Sequence, residues 1–140
     1  MNKVNRVFLG GTCNNTTWRN EIESEVNNVE LFNPVVEDWT PECQQIEIDE
    51  KENKCNIHLY VITKEMTGVF SIAEAVDSVH NKKVKTIFQL VPRGFGKFQL
   101  KSLHAVVDLI KSRGGITIVD DSLQPTINIL NHSVNLFGSV

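Results

Sequence analysis

The sequence predicts an α/β protein built on one parallel sheet, and three observations support this fold class. Five short runs rich in β-branched and aromatic residues alternate with stretches whose apolar residues recur every three or four positions. The run Ile57–Ile62 is almost continuously apolar, which is typical of a strand buried on both faces. The connections between the runs are short. Together these features predict a parallel sheet with helices on both faces.

The first half of the chain supplies three of the predicted strands. Residues 4–9 form the first strand, and Gly10-Gly11-Thr12 then forms a tight turn of a size that suits a phosphate. A helix follows over 15–27, with Trp18 on its buried side. Residues 29–32 form the second strand, and Pro41 opens a helix that reaches residue 54. The third strand is the apolar run at 57–62, which we expect at the centre of the sheet.

The second half repeats the alternation. A turn at Gly68 leads into a helix, residues 84–90 form the fourth strand, and 92–96 form a glycine-rich loop. An amphipathic helix around 100–110, a fifth strand at 116–119 and a last helix at 123–130 follow, while 132–140 has too little pattern for an assignment. These elements predict a single domain, 1–140, with the flavodoxin-like strand order 2-1-3-4-5.

Composition narrows the class of protein. The 140 residues carry a net charge of −3, which argues against a nucleic-acid partner because phosphate binding needs a basic surface. No apolar segment approaches the roughly 20 residues that a membrane helix needs, and no signal-peptide core is visible, so we expect a cytoplasmic protein with no membrane partner. The three cysteines and four histidines show no metal-ligand spacing, and no metal or cofactor is predicted.

The most informative stretch is 67–75, which follows the central strand. It places Glu74 in the first turn of a helix at the carboxyl end of that strand, where ligands bind in open α/β sheets. A carboxylate there can attack an anomeric carbon, as retaining glycosyl transfer requires, while Gly10-Gly11-Thr12 holds hydroxyls or a phosphate. Two structural alternatives stay open: Ser71-x-x-Glu74 also fits a capping box, and Gly10-Gly11-Thr12 fits an ordinary strand-to-helix turn.

Several motifs, taken in order, resemble one enzyme family. They are Val7-Phe8-Leu9-Gly10-Gly11-Thr12, Trp18-Arg19, the segment Phe32-Asn33-Pro34-Val35-Val36-Glu37-Asp38-Trp39, and Glu74 after the third strand. This set, spread from residue 7 to about 118, resembles the nucleoside 2-deoxyribosyltransferases, particularly their divergent "like" branch. The resemblance implies a flavodoxin-like fold, a homo-oligomer, and cleavage of the N-glycosidic bond of a 2-deoxyribonucleoside or its 5′-monophosphate.

The resemblance also implies roles for residues. It makes Glu74 the covalent nucleophile, with Ser71, Gly68 and the first-turn amides orienting the sugar or phosphate. Asp49 is the expected general acid for the departing base, with Asp38 and Glu65 as alternatives, and the Asp38-Trp39 loop is expected to cover the base.

Two positions differ from the better-known members of that family. Asn56, which we expect among the substrate-binding residues, stands where members often carry an aspartate, and Phe8 stands where they carry a tyrosine. A non-catalytic nucleotide-binding module is therefore the main alternative function, and an oligomerisation scaffold is a third.

Overall fold

A computed structural model describes residues 4–13 and 15–137 of the chain, so both ends of the predicted domain 1–140 lie outside the described residues. Five strands pair side by side in the order β2-β1-β3-β4-β5, and every pairing is parallel. The α/β class, the flavodoxin-like architecture and the strand order are therefore confirmed. The strands are β1 (Arg6–Gly11), β2 (Glu30–Phe32), β3 (Ile57–Ile62), β4 (Lys85–Leu90) and β5 (Ile116–Val119).

Helices connect the strands at the predicted places. They are α1 (Trp18–Glu25), α2 (Pro41–Asp49), α3 (Phe70–Val79), α4 (Lys97–Ser112) and α5 (Gln124–Asn131). Helix α2 begins where Thr40 accepts a hydrogen bond from the Cys43 amide, and it runs on into a π-helical turn, Glu50–Lys54. In the unassigned 132–140 tail, Ser133–Phe137 forms a short 3₁₀ helix, and 138–140 lie outside the described residues.

Two apolar layers enclose the sheet. Trp18 and Ile22 of α1 and Ile127 of α5 pack on one face of β1, β3 and β4. Side chains of α3 and α4 pack on the other face, around Tyr60 and Phe88. All six residues of β3 are buried, as a central strand covered on both sides requires. Nowhere in 4–13 or 15–137 is a helix both long enough and apolar enough to span a membrane.

Strand β1 extends two residues further than the sequence predicts. Gly10 and Gly11 are its last residues, paired with Tyr60 and Val61, so they do not form the predicted turn. Gly11 has φ +111°, and a Cβ there would lie 2.2 Å from the carbonyl oxygen of Val61. Only glycine fits this close approach of two strands, so the glycine pair has a structural function at the end of β1.

Candidate functional site

The carboxyl edge of the sheet contains a crevice between the end of β1 and the loop that enters α3. Its volume is about 260 Å³. Four of the predicted substrate-binding residues line it, namely Gly11, Thr12, Gly68 and Ser71. The remaining lining residues are Cys13, Met66, Thr67 and Phe70. The crevice is therefore lined by residues from two segments, one at the end of β1 and one that follows β3. The sequence predicts that these two segments lie side by side at the carboxyl edge of the sheet.

A buried arginine holds the β1 side of this crevice in place. The guanidinium of Arg19 donates hydrogen bonds to the carbonyl oxygens of Thr12 at 2.7 Å, Leu9 at 3.0 Å and Gly11 at 3.3 Å. It also lies 4.3 Å from the Trp18 ring. Sequence reasoning did not assign this function to Arg19, because a basic residue on a short helix ordinarily faces solvent.

The amide and the hydroxyl of Thr12 form hydrogen bonds to the end of β3 and the residue that follows it. Its amide donates to the Val61 carbonyl at 2.9 Å, and its hydroxyl oxygen accepts from the Thr63 amide at 3.0 Å. The amide of Thr12 is thus committed to β3, whereas its hydroxyl hydrogen can still be donated to a ligand.

Ser71 and Glu74 do not form the capping box that the sequence allowed. Val69 is the N-cap of α3 and no side chain caps it, so Ser71 lies at the second helical position and Glu74 in the second turn. The Ser71 hydroxyl donates to the Gly11 carbonyl oxygen at 3.1 Å, across the crevice. The capping-box alternative is therefore wrong, as is the placement of Glu74 in the first turn, because α3 begins two residues earlier than a Ser71 cap requires.

The Glu74 carboxylate lies in a groove between α3 and the π-helical turn. Its Oε2 is 2.9 Å from Nζ of Lys51, and only 10% of the Glu74 side chain is exposed. The groove has a volume of about 280 Å³, and His58, Asp77, Ser78 and Asn81 are among its other lining residues. Ser71 and Glu74 are three residues apart on α3, a rise of roughly 4.5 Å. The groove and the crevice are thus about one helical turn apart.

A buried chain of hydrogen bonds fixes the backbone of Lys51. His58 Nε2 lies 2.8 Å from the Lys51 carbonyl oxygen, and His58 Nδ1 lies 2.7 Å from the Ser78 hydroxyl, which in turn is 2.7 Å from Thr86. A carbonyl oxygen only accepts, so Nε2 carries the proton and Nδ1 accepts from Ser78. Burial lowers the pKa of His58 to about 4, which keeps the ring neutral at physiological pH.

The hydroxyl of Tyr60 is buried beside the hydrogen-bonded side chains of His58 and Ser78. Tyr60 has no exposed surface, and its Oη forms no hydrogen bond of good geometry with any described residue. It lies close to Ser78, whose hydroxyl is already bonded to His58 and Thr86. Burial, and secondly the negative charge of Glu74, raise the pKa of Tyr60. Its hydroxyl is therefore a neutral donor that lacks a well-placed acceptor.

Comparison with known proteins decides the family. The family model described as "Nucleoside 2-deoxyribosyltransferase like" matches residues 4–92, well over half of the chain. The chain belongs to this nucleoside 2-deoxyribosyltransferase-like family. No curated protein and no solved structure matches the chain significantly. The family segment ends just after β4, so it includes the crevice, the groove and all the predicted site residues.

Within this family segment, three predicted site residues line neither the crevice nor the groove. The Asp49 carboxylate accepts from Asn53 at 2.8 Å and is 3.4 Å from Lys54 Nζ, and both contacts lower its pKa. Asn56 lies at the amino end of β3, where its Oδ1 accepts from the Arg6 amide at 2.9 Å. Trp39 is 59% exposed in the β2–α2 loop. The Asp49 contact lies within one helical segment, whereas the Asn56 contact joins the starts of β3 and β1, fifty residues apart in the chain.

A second carboxylate near Glu74 was not predicted. Glu47 of α2 is partly buried, and burial and the charge of Glu74 raise its pKa, whereas Lys51 and Arg19 lower it. Its position four residues before Lys51 places both residues on one helix face, but only the contact between Lys51 and Glu74 shows that this face meets α3.

Proposed function

We propose that the protein cleaves or transfers the N-glycosidic bond of a 2-deoxyribonucleoside or its 5′-monophosphate, with Glu74 as the covalent nucleophile. The observation that carries this proposal is the position of Glu74: of the two α3 carboxylates that line the groove, Glu74 and Asp77, it is the one nearer the crevice at the carboxyl edge, about one turn away. Membership of the family supports the substrate class, and no cofactor is required for this chemistry.

The geometry suggests how the substrate is held. The crevice at Gly11, Gly68 and Ser71 accommodates the sugar hydroxyls or the 5′-phosphate, and the hydroxyls of Ser71 and Thr12 are the polar groups next to it. The anomeric carbon then lies toward Glu74, one turn further along α3. The Trp39 ring, exposed in its loop, is free to stack on the base.

Lys51 orients the nucleophile. Its contact with Oε2 leaves Oε1 as the oxygen that attacks, and the buried bond from His58 to the Lys51 carbonyl fixes the backbone from which the lysine extends. Attack forms an ester between Glu74 and the anomeric carbon, and the base leaves with the electrons of the C–N bond. Water then completes hydrolysis, or a second base completes transfer.

Base release and base exchange test this proposal. The protein is incubated with each deoxynucleoside and monophosphate, with and without a free acceptor base, and the products are separated by chromatography. We expect release or exchange for at least one substrate. Glu74→Gln should lower the rate of base release at least about 1,000-fold, since the nucleophile is removed. Asp108→Asn, which changes an exposed carboxylate on α4, is the matched control. Absence of turnover with every substrate would contradict the proposal.

One observation favours a second candidate, a nucleotide-binding module without activity. The Lys51 contact neutralises a Glu74 side chain that is only 10% exposed, and Phe8 supplies no hydroxyl. Calorimetric binding of a nucleotide without any turnover would support that candidate.

Two further properties stay predictions that the family resemblance suggests. A homo-oligomer is expected, and the apolar groove between α3 and α4, about 810 Å³ in volume, is the surface we would assign to it. Sedimentation of the wild type and of Val69→Glu, whose valine lines that groove and is 72% exposed, tests this. A cytoplasmic location can be tested by fractionation of the source cells.

A further inference from the structure

We propose that Glu47 is the general acid that protonates the departing base, and that it takes a proton back in the second step. This inference rests on the proposed function of Glu74. It differs from the sequence-based expectation, which gave the acid function to Asp49, two residues further along the same helix.

Helix α2 and its π-helical turn carry several acidic residues, and the structure separates them by their partners. Glu50 receives two hydrogen bonds from Arg6, at 2.7 and 2.8 Å. Asp49 is bonded to Asn53 and lies near Lys54. No residue in the described part of the chain forms a hydrogen bond or an ion pair with Glu47. Of the five acidic residues in this segment, Glu42, Glu47 and Glu52 have no such partner among the described residues, and Glu47 is the one of these three that is partly buried.

The position of Glu47 along the helix directs it toward the nucleophile. It precedes Lys51 by four residues, so the two side chains occupy one face, about 6 Å apart along the axis. Lys51 Nζ contacts Glu74 Oε2 at 2.9 Å, which shows that this face of the helix meets α3. Helices α2 and α3 therefore come together on one side of the sheet near Lys51 and Glu74, close enough for the Glu74 charge to act on Glu47.

The surroundings of Glu47 favour its protonated form, which a general acid needs. The charged groups that act on Glu47 are Glu74 of α3, Lys51 of the π-helical turn and Arg19 of α1. Burial is the largest influence and the Glu74 charge the second, and both raise the pKa of Glu47. Two carboxylates in one site whose environments differ in this way are the usual arrangement of an acid and a nucleophile.

The bonds and the proton are accounted for in both steps of the reaction. In the first, a Glu74 oxygen bonds to the anomeric carbon, the C–N bond breaks, and the proton of Glu47 moves to the base nitrogen. In the second, water or an acceptor base attacks the anomeric carbon, the ester bond to Glu74 breaks, and the Glu47 carboxylate takes the proton of the attacking group. Both residues end in their starting states.

The first test compares substrates whose bases differ in leaving ability. Glu47→Gln should slow cleavage of an unmodified adenine deoxynucleoside by at least about 100-fold, but slow a deoxynucleoside of a fluorinated pyrimidine far less, because a better leaving group needs less protonation. Glu74→Gln should slow both substrates equally. Glu42→Gln, an exposed carboxylate of α2, is the control. Equal losses for both substrates in Glu47→Gln, or a leaving-group-dependent loss in Asp49→Asn instead, would overturn the inference while leaving the proposed function intact.

The second test does not need turnover. Carboxyl-carbon NMR of the selectively labelled protein follows the titration of Glu47 in the wild type and in Glu74→Gln. We expect Glu47 to titrate above the exposed glutamates and to shift downward when the Glu74 charge is removed. A Glu47 titration that is unchanged by Glu74→Gln would show that the two carboxylates do not share a site, and would overturn the inference on its own.

Discussion

The Nζ atom of Lys51 and the Oε2 atom of Glu74 lie 2.9 Å apart, although 23 residues separate them in the chain. The contact joins the π-helical turn that precedes the central strand to the helix that follows it. It brings the candidate nucleophile, its cationic partner and the candidate acid Glu47 to one side of the sheet.

The glycines of the crevice differ in what they tolerate. Gly11→Ala places a Cβ 2.2 Å from the Val61 carbonyl oxygen at φ +111°, and we expect a loss of about 3 kcal/mol or more in the free energy of unfolding. Gly68→Ala meets open space, so it should change stability by less than about 0.5 kcal/mol. Urea unfolding measures both variants. Equal stability of the two variants would refute the close strand approach at Gly11.

Removing the Tyr60 hydroxyl should not weaken the fold. A buried donor without a good acceptor costs about 1–3 kcal/mol, so Tyr60→Phe should match or exceed the wild type in urea unfolding. Thr126→Val is the control, because the Thr126 hydroxyl is equally buried but bonded to Gln89. Loss of that hydroxyl should lower the free energy of unfolding by about 1 kcal/mol. If Tyr60→Phe proved less stable than the control variant, the hydroxyl would have a partner in solution.

The neutral His58 makes stability depend on pH in a defined window. Its pKa is about 4 in the folded state and about 6.5 when unfolded, so between these values the unfolded chain binds a proton that the native state does not. The free energy of unfolding should therefore fall as the pH drops from 6.5 toward 4, by up to about 1.4 kcal/mol per unit from this residue.

Substituting His58 isolates that contribution. His58→Gln should show a shallower decline across the window, and His104→Gln, at an exposed position, should follow the wild type. Parallel curves for His58→Gln and the wild type would mean that the ring is not held neutral in the fold.

Thiol labelling reports on the crevice. Cys13 is exposed and lines the crevice, whereas Cys55 is 5% exposed and burial raises its pKa to about 12. In a Cys43→Ser background, iodoacetamide should modify Cys13 rapidly and Cys55 only after unfolding. Saturating deoxyadenosine 5′-monophosphate, added to the Glu74→Gln protein, should slow the reaction at Cys13. Unchanged labelling with ligand bound would place the ligand elsewhere.

Much of the fold could be predicted from local pattern. Parallel strands covered on both faces require apolar runs, and β3 and β5 have the predicted bounds because their apolar residues end where the strands end. The extent of β1 was underestimated, because the conformation of Gly10 and Gly11 depends on β3 across the sheet and not on their own propensity. The capping-box prediction was wrong because of a contact that is also distant in sequence. The Ser71 hydroxyl bonds to Gly11, sixty residues away.

The site could be predicted only in part. The position of Glu74 follows from its place after a central strand, which topology determines. The partners of Glu74 depend on how α2 crosses the sheet, and a π-helical turn changes the direction of the last side chains before β3. Lys51 and Glu47 therefore could not be paired with Glu74 from spacing alone, and spacing did not show that Asp49 bonds to Asn53 or that Asn56 bonds to the Arg6 amide.

Mass spectrometry of the Glu74 peptide, after acid quench of a single turnover, shows whether Glu74 carries the covalent intermediate. A deoxynucleoside fluorinated at the 2′ carbon destabilises the oxocarbenium-like transition state and slows breakdown of the ester. We expect a deoxyribosyl adduct on Glu74 in the wild type and none in Glu74→Gln, with base release in proportion to the adduct. Release of base without an adduct on Glu74, at a rate that Glu74→Gln retains, would contradict the account.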